Sequence, residues 1–127
     1  MFQIEDTIKT NIRISKNMKE QIRAIAGEKD LQDKLEELVI DYNRAWDKLG
    51  AETMILESIR CQTKRKVAGL DDNKDDTKKD QIITLKTDKS IYDKFKKHCG
   101  EIGIVFGEGI RRMLNQAIMA ENRKYTQ

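Results

Sequence analysis

Two short stretches of alternating residues set the terms for what this chain can fold into. In "TIKTNIRIS", Thr7–Ser15, the residues Ile8, Ile12 and Ile14 fall on one side, and Lys9, Asn11, Arg13 and Ser15 on the other. In "QIITLKTD", Gln81–Asp88, Ile83 and Leu85 oppose Ile82, Thr84 and Lys86. That period is the period of a strand with one buried face. A lone strand of this length has no partners for its N–H and C=O groups. The two are therefore expected to pair antiparallel as a ribbon, with helices closing over the apolar face.

The helices follow each strand in the same order. "NMKEQIRAIAGEKD" places Met18, Ile22, Ile25 and Ala26 at helical spacing and stops at Gly27, a C-cap residue. Asp30 with Asp33 marks the start of a second helix, whose apolar stripe is Leu31, Leu35, Leu38, Val39, Tyr42, Ala45 and Trp46. After the second strand, "KSIYDKFKKHCGEIG" spaces Ile91, Phe95, Cys99 and Ile102 as one face and ends at Gly103. The helix after that carries Phe106, Ile110, Met113, Leu114, Ala117 and Ile118. Set Ile12 against Leu85, and Met18 meets Ile91, Ile22 meets Phe95 and Ala26 meets Cys99 without a gap. With a turn two residues shorter in the first copy, Leu31 then meets Phe106 and Leu35 meets Ile110. The expected fold is mainly α with a short two-stranded antiparallel β-ribbon, built as tandem strand–helix–helix units over 7–48 and 81–120.

Between the units, 49–66 reads as a connecting helix with Met54, Ile55 and Ile59 on an apolar stripe, and 67–80 as a charged, solvated linker. Asp71, Asn73 and Asp75 begin like a calcium loop. Asp76 in place of the turn glycine and Ile82 in place of the closing glutamate exclude it.

Composition narrows the function classes. Charged residues are 37% of the chain and mean hydropathy is -0.73, so the core is thin and the solvated surface large. No apolar run is long enough to span a membrane, and the N-terminus shows no basic-then-apolar leader pattern. With only Cys61 and Cys99, free thiols in a reducing cytoplasm are expected. His98 beside Cys99 suggests metal at first sight. One histidine and two cysteines would need carboxylates to complete a four-ligand set, so neither metal nor cofactor is expected. No nucleophile–base pairing, P-loop or dinucleotide turn is visible, which argues against an enzyme. Charge is uneven: −1 over 1–48, +2 over 49–66, −2 over 67–80 and +4 over 81–127. The C-terminal third is the part expected to face an anion.

That third contains "GIVFGEGIRRMLNQAI", Gly103–Ile118, with three glycines and a glutamate at a helix entrance. A helix N-terminus offers free N–H groups and a positive dipole end, which suits phosphate. The stretch is similar to the second helix of ribbon-helix-helix DNA-binding proteins, the superfamily of the Arc and methionine repressors. Residues 81–119 resemble that unit well and 9–48 more distantly; two units in one chain resembles the tandem members of conjugative plasmids and some viruses. The resemblance implies that Lys9, Asn11, Arg13, Ile82, Thr84 and Lys86 read base edges from the ribbon's outer face. It also implies that the backbone at Val105, Phe106 and Gly107 holds a phosphate, with Asp30 an acidic departure at the matching place in the first unit. Arg111 and Arg112 are candidates either for phosphate or for a bridge to a glutamate. Arg60–Lys66 is either a solvated helix end or a further phosphate contact.

The expected function is sequence-specific binding of double-stranded DNA as a transcriptional repressor, with self-association on DNA through helix 49–66. The alternatives are an accessory protein of a plasmid transfer or partition complex, and an antitoxin-like adaptor using its helices. Tyr42, Trp46 and Leu49 are expected in the core.

Overall fold

In the computed structural model of the chain, residues 7–67 and 79–125 are described, with side chains to 64 in the first stretch and to 121 in the second. The element order is β1 (Thr7–Ile14), α1 (Lys16–Ala26), α2 (Leu31–Leu49), α3 (Ala51–Val67), β2 (Gln81–Asp88), α4 (Lys89–Glu101) and α5 (Phe106–Tyr125). Most of the 67–80 linker and of the rejected calcium loop, and the side chains at the end of the Arg60–Lys66 run, lie outside what is described.

β1 and β2 pair antiparallel along their full length, from Thr7 opposite Asp88 to Ile14 opposite Gln81. Alternation then does what it must: Ile12, Ile14, Ile83 and Leu85 all face the core and are buried. Met18 and Ile22 of α1, Leu35 and Val39 of α2, Phe95 of α4 and Ile110 and Leu114 of α5 close over them. Each of these side chains contributes about 1.5–3 kcal/mol by leaving water. Tyr42, Phe95 and Phe106 pack ring to ring behind the aliphatic layer, with centroids 5.5 Å and 5.4 Å apart.

Several expectations need correcting. Ser15 does not share the outward face of β1. The strand stops at Ile14, and Ser15 is a buried N-cap whose Oγ accepts the Met18 N–H at 3.1 Å. The connecting helix expected over 49–66 is α3, Ala51–Val67, which starts two residues later. Gly50, at φ 86°, breaks the chain into α2 and α3. The apolar face that α3 turns inward is Met54, Ser58 and Cys61 against α5 and α2, whereas Ile59 points out. The stripe expected from Met54 to Ile59 is thus divided between two faces. Trp46 is buried and stacks on His98 at 4.6 Å, but Leu49, at the last turn of α2, is half exposed. No described helix is long and apolar enough to cross a membrane.

Candidate nucleic-acid interface

The outer face of the ribbon is set by register. Lys9 lies opposite Lys86, Asn11 opposite Thr84, and Arg13 opposite Ile82. Lys9, Asn11, Arg13, Ile82 and Lys86 are exposed, and Thr84 is partly so. All six residues expected on this face are on it. Like charges directly opposite across a ribbon are destabilising. Here Lys9 and Lys86 face each other, and among the described residues neither they nor Arg13 has an ionic partner. An anion laid over the face would offset that cost.

At the centre of the face, the Thr84 hydroxyl donates to Asn11 Oδ1 at 2.9 Å. That bond occupies the amide oxygen of Asn11 and turns its N–H groups to solvent as donors. The ribbon is also tied down at its edges. Lys19 of α1 donates to the Ile82 carbonyl at 3.1 Å, and Arg111 of α5 to the Arg13 carbonyl at 3.1 Å. Both bonds join a helix following one strand to the other strand, so the ribbon is fixed relative to the helices.

Two long helices begin beside this face and differ. α5 begins beside Arg13, the residue whose carbonyl Arg111 holds. Its cap position is Val105, 72% exposed and without a side-chain acceptor, and its first ladder bond runs from Gly109 N–H to the Val105 carbonyl at 3.0 Å. The N–H groups of Phe106, Gly107 and Glu108 precede that bond. Glu108 would repel an anion there, but Arg111 and Arg112 hold its carboxylate at 3.2 Å each, leaving the trio with one net positive charge. The bridge to a glutamate, one of the two roles open to these arginines, is present at both.

α2 begins at the other end of the ribbon, where Gln32, Asp33 and Glu36 line a hollow with Thr7, Lys86 and Thr87. Its N-terminus is closed by its own residue: Asp30 Oδ1 accepts the Gln32 N–H at 2.8 Å. One helix end is open and basic, the other capped and acidic.

The glycines of the Gly103–Ile118 stretch have three different jobs. Gly103 takes φ 71° in the α4–α5 turn. Gly107 lies inside the first turn of α5, where a Cβ would meet only the guanidinium of Arg111, at 3.4 Å. Gly109 is a packing residue: a Cβ there would lie 2.2 Å from Cys99 Sγ and 3.2 Å from the Phe95 ring. Sequence reasoning missed Gly109 because glycine near a helix entrance reads as looseness. It missed Lys19 because a lysine on an amphipathic helix gives no sign of bonding a distant carbonyl.

The remaining candidates lie elsewhere. His98 is buried under Trp46, 4.0 Å from Glu101, and burial holds its pKa below the usual value against the opposing pull of Glu101 and Asp47. Burial likewise pushes the Cys99 thiol up to about 11 and the Tyr42 hydroxyl up to about 12. Among the described residues no three His, Cys, Asp or Glu side chains are grouped to hold a metal ion. Comparison of the chain with protein-family models, with curated proteins and with solved structures returns no match.

Proposed function

We propose that this chain is a sequence-specific double-stranded DNA-binding protein of tandem ribbon-helix-helix type, which lays its ribbon in the major groove and represses transcription by occupying a promoter. The observation that carries this reading is the outer face of the ribbon: three exposed cations without ionic partners among the described residues, around a polar Asn11–Thr84 centre. The major groove admits a two-stranded ribbon and presents base-edge acceptors to outward N–H donors.

The tandem reading has its own support. Asn11 and Thr84 are equivalent positions when Ile12 is set against Leu85, and they are also register partners. A local twofold through that pair would relate strand to strand and each helix pair to the other. Side chains on the two half-ribbons nevertheless differ, with Arg13 opposite Ile82, so the sequence read would be asymmetric. Asn11, with its oxygen held by Thr84, would donate to acceptors such as guanine O6 or N7, and Ile82 would touch a thymine methyl. The open amides of α5 would clamp a flanking phosphate. No part of this mechanism makes or breaks a covalent bond, and the reading is of a binding protein, not an enzyme.

The test is a selection of fragments from the source genome in about 150 mM salt, which suppresses non-specific phosphate binding. A motif should be enriched by the natural chain and lost when Asn11, Arg13, Thr84 and Lys86 are all changed to alanine. A promoter position supports repression; a transfer origin or partition site would replace it with the accessory role. Enrichment that survives the four changes would remove the ribbon as reader.

A further inference from the structure

We infer that the outward face of α3 is a self-association surface that joins two copies of this chain with their α3 helices antiparallel. Met54, Ser58 and Cys61 hold α3 against α5 and α2. The opposite side of the same helix carries Glu52, Leu56, Ile59 and Thr63, all exposed. Leu56 is 62% exposed and Ile59 51%, and the half-exposed Leu49 lies beyond Gly50 at the adjoining end of α2. Three of the five large apolar residues that the described structure leaves exposed belong to this one region. Ile82 and Val105, the other two, border the ribbon face.

Charge decides the occupant and its direction. Among its described side chains α3 carries its acids first, Glu52 and Glu57, and its bases second, Arg60 and Lys64. A second α3 laid parallel would set like charge on like; laid antiparallel, it sets the acidic first half of one helix toward the basic second half of the other. A twofold at Leu56 places that residue against itself, Glu52 against Arg60 of the copy and Ile59 beside Thr53 of the copy. This is an isologous contact, which closes after two chains. Arg60 now reaches Glu57 of its own helix at 3.6 Å, a surface pair that exchanges cheaply for the new one.

The position of α3 leaves the ribbon clear. α2 touches the ribbon end near Asp33 and Glu36, whereas its Ala45 and Leu49 share a groove with Met54 and Cys61 of α3. Those two parts of α2 are roughly 20 Å apart at 1.5 Å per residue. Two copies joined at α3 would thus expose both ribbons at once. The association does not depend on DNA and is testable without it.

Sedimentation velocity of the full chain, free of DNA, over a concentration series should show reversible conversion from one chain to two. Leu56→Glu and, separately, Ile59→Lys should each raise the dissociation constant about tenfold or more. Both positions are exposed, so far-ultraviolet circular dichroism should show an unchanged fold. Glu52→Arg and Arg60→Glu should each weaken the dimer, and the double variant should recover it. A Leu56→Cys variant should be joined by a short bis-maleimide, and Ser90→Cys, exposed on α4, should not. A single-chain mass up to the solubility limit, or a dimer indifferent to Leu56→Glu, would overturn the surface. Failure of the double charge exchange to restore association would overturn the antiparallel arrangement.

Discussion

In the tandem reading the N-termini of α2 and α5 would occupy equivalent places, and their local chemistry is opposite. α2 closes the Gln32 N–H with Asp30, and Asp33 and Glu36 follow in the first turns. α5 begins at the aliphatic Val105, leaves its first amides open and neutralises Glu108 with two arginines. An aspartate cap stabilises a helix by about 1 kcal/mol and, by the same charge, turns phosphate away. The comparison teaches that stability and anion binding compete for the same N–H groups. In the DNA-binding reading, the backbone of the duplex would be gripped at the α5 end and only loosely at the α2 end.

The largest effect expected from challenging this contrast lies behind the α5 entrance. Gly109 lets α5 approach α4 so closely that a methyl group would sit 2.2 Å from Cys99 Sγ. In the sequence alignment of the two stretches the matching residue is Lys34, partly buried and paired with Glu37, with Ala26 matched to Cys99. Gly109→Ala should therefore destabilise the chain by about 1–3 kcal/mol through overpacking, despite alanine's better helix propensity. Urea unfolding measures this. Adding Cys99→Ala should recover part of the loss, and a neutral Gly109→Ala would mean the two helices have room to part.

Next in size are changes at the two cap positions. Val105→Asp gives α5 the same kind of cap that α2 has. It should raise thermal stability while weakening DNA binding about tenfold, or about 1.4 kcal/mol. Asp30→Asn retains a capping side chain and removes the charge, so stability should hold and affinity should rise, by about threefold or roughly 0.6 kcal/mol. Fluorescence anisotropy on a selected DNA site, at two salt concentrations, reads both changes. Equal responses at the two positions would dissolve the distinction between an open and a closed end.

Much of this arrangement is legible in the sequence, and the residues that are not share a cause. Alternation in Thr7–Ile14 and Gln81–Asp88 specifies the inward isoleucines and Leu85, because a one-residue slip would turn every one of them outward. The six outer-face residues follow from the same parity. Periodicity is weaker where a helix has several neighbours: both Met54 and Ile59 fit an apolar stripe on α3, but only Met54 faces α5 and α2. Long-range bonds leave no local pattern at all, and so Lys19 on the Ile82 carbonyl was invisible. Gly109 is the instructive case. A glycine that provides freedom and one that provides room look identical in sequence, and only the position of Cys99 separates them.

The smallest expected effect concerns a difference inside the core. In the sequence alignment of the two stretches His98 matches Ile25, and it is buried against Trp46. Burial lowers its pKa in the folded state, so the unfolded chain binds the proton more readily. Stability should then be constant above the unfolded value of about 6.5 and fall as pH drops below it, until the folded group also protonates. The charges of Glu101 and Asp47 oppose the shift, which keeps the expected loss small. His98→Phe removes the titrating group and keeps a ring against Trp46, so its urea midpoint should be flatter between pH 7.5 and 5.5 than that of the natural chain. Ile25→His would move the same sensitivity to the half that lacks it, but at a partly exposed site where the shift should be weaker. If instead the natural chain and His98→Phe lose stability in parallel, the carboxylates of the surface set the acid response, and the two halves do not differ in this respect.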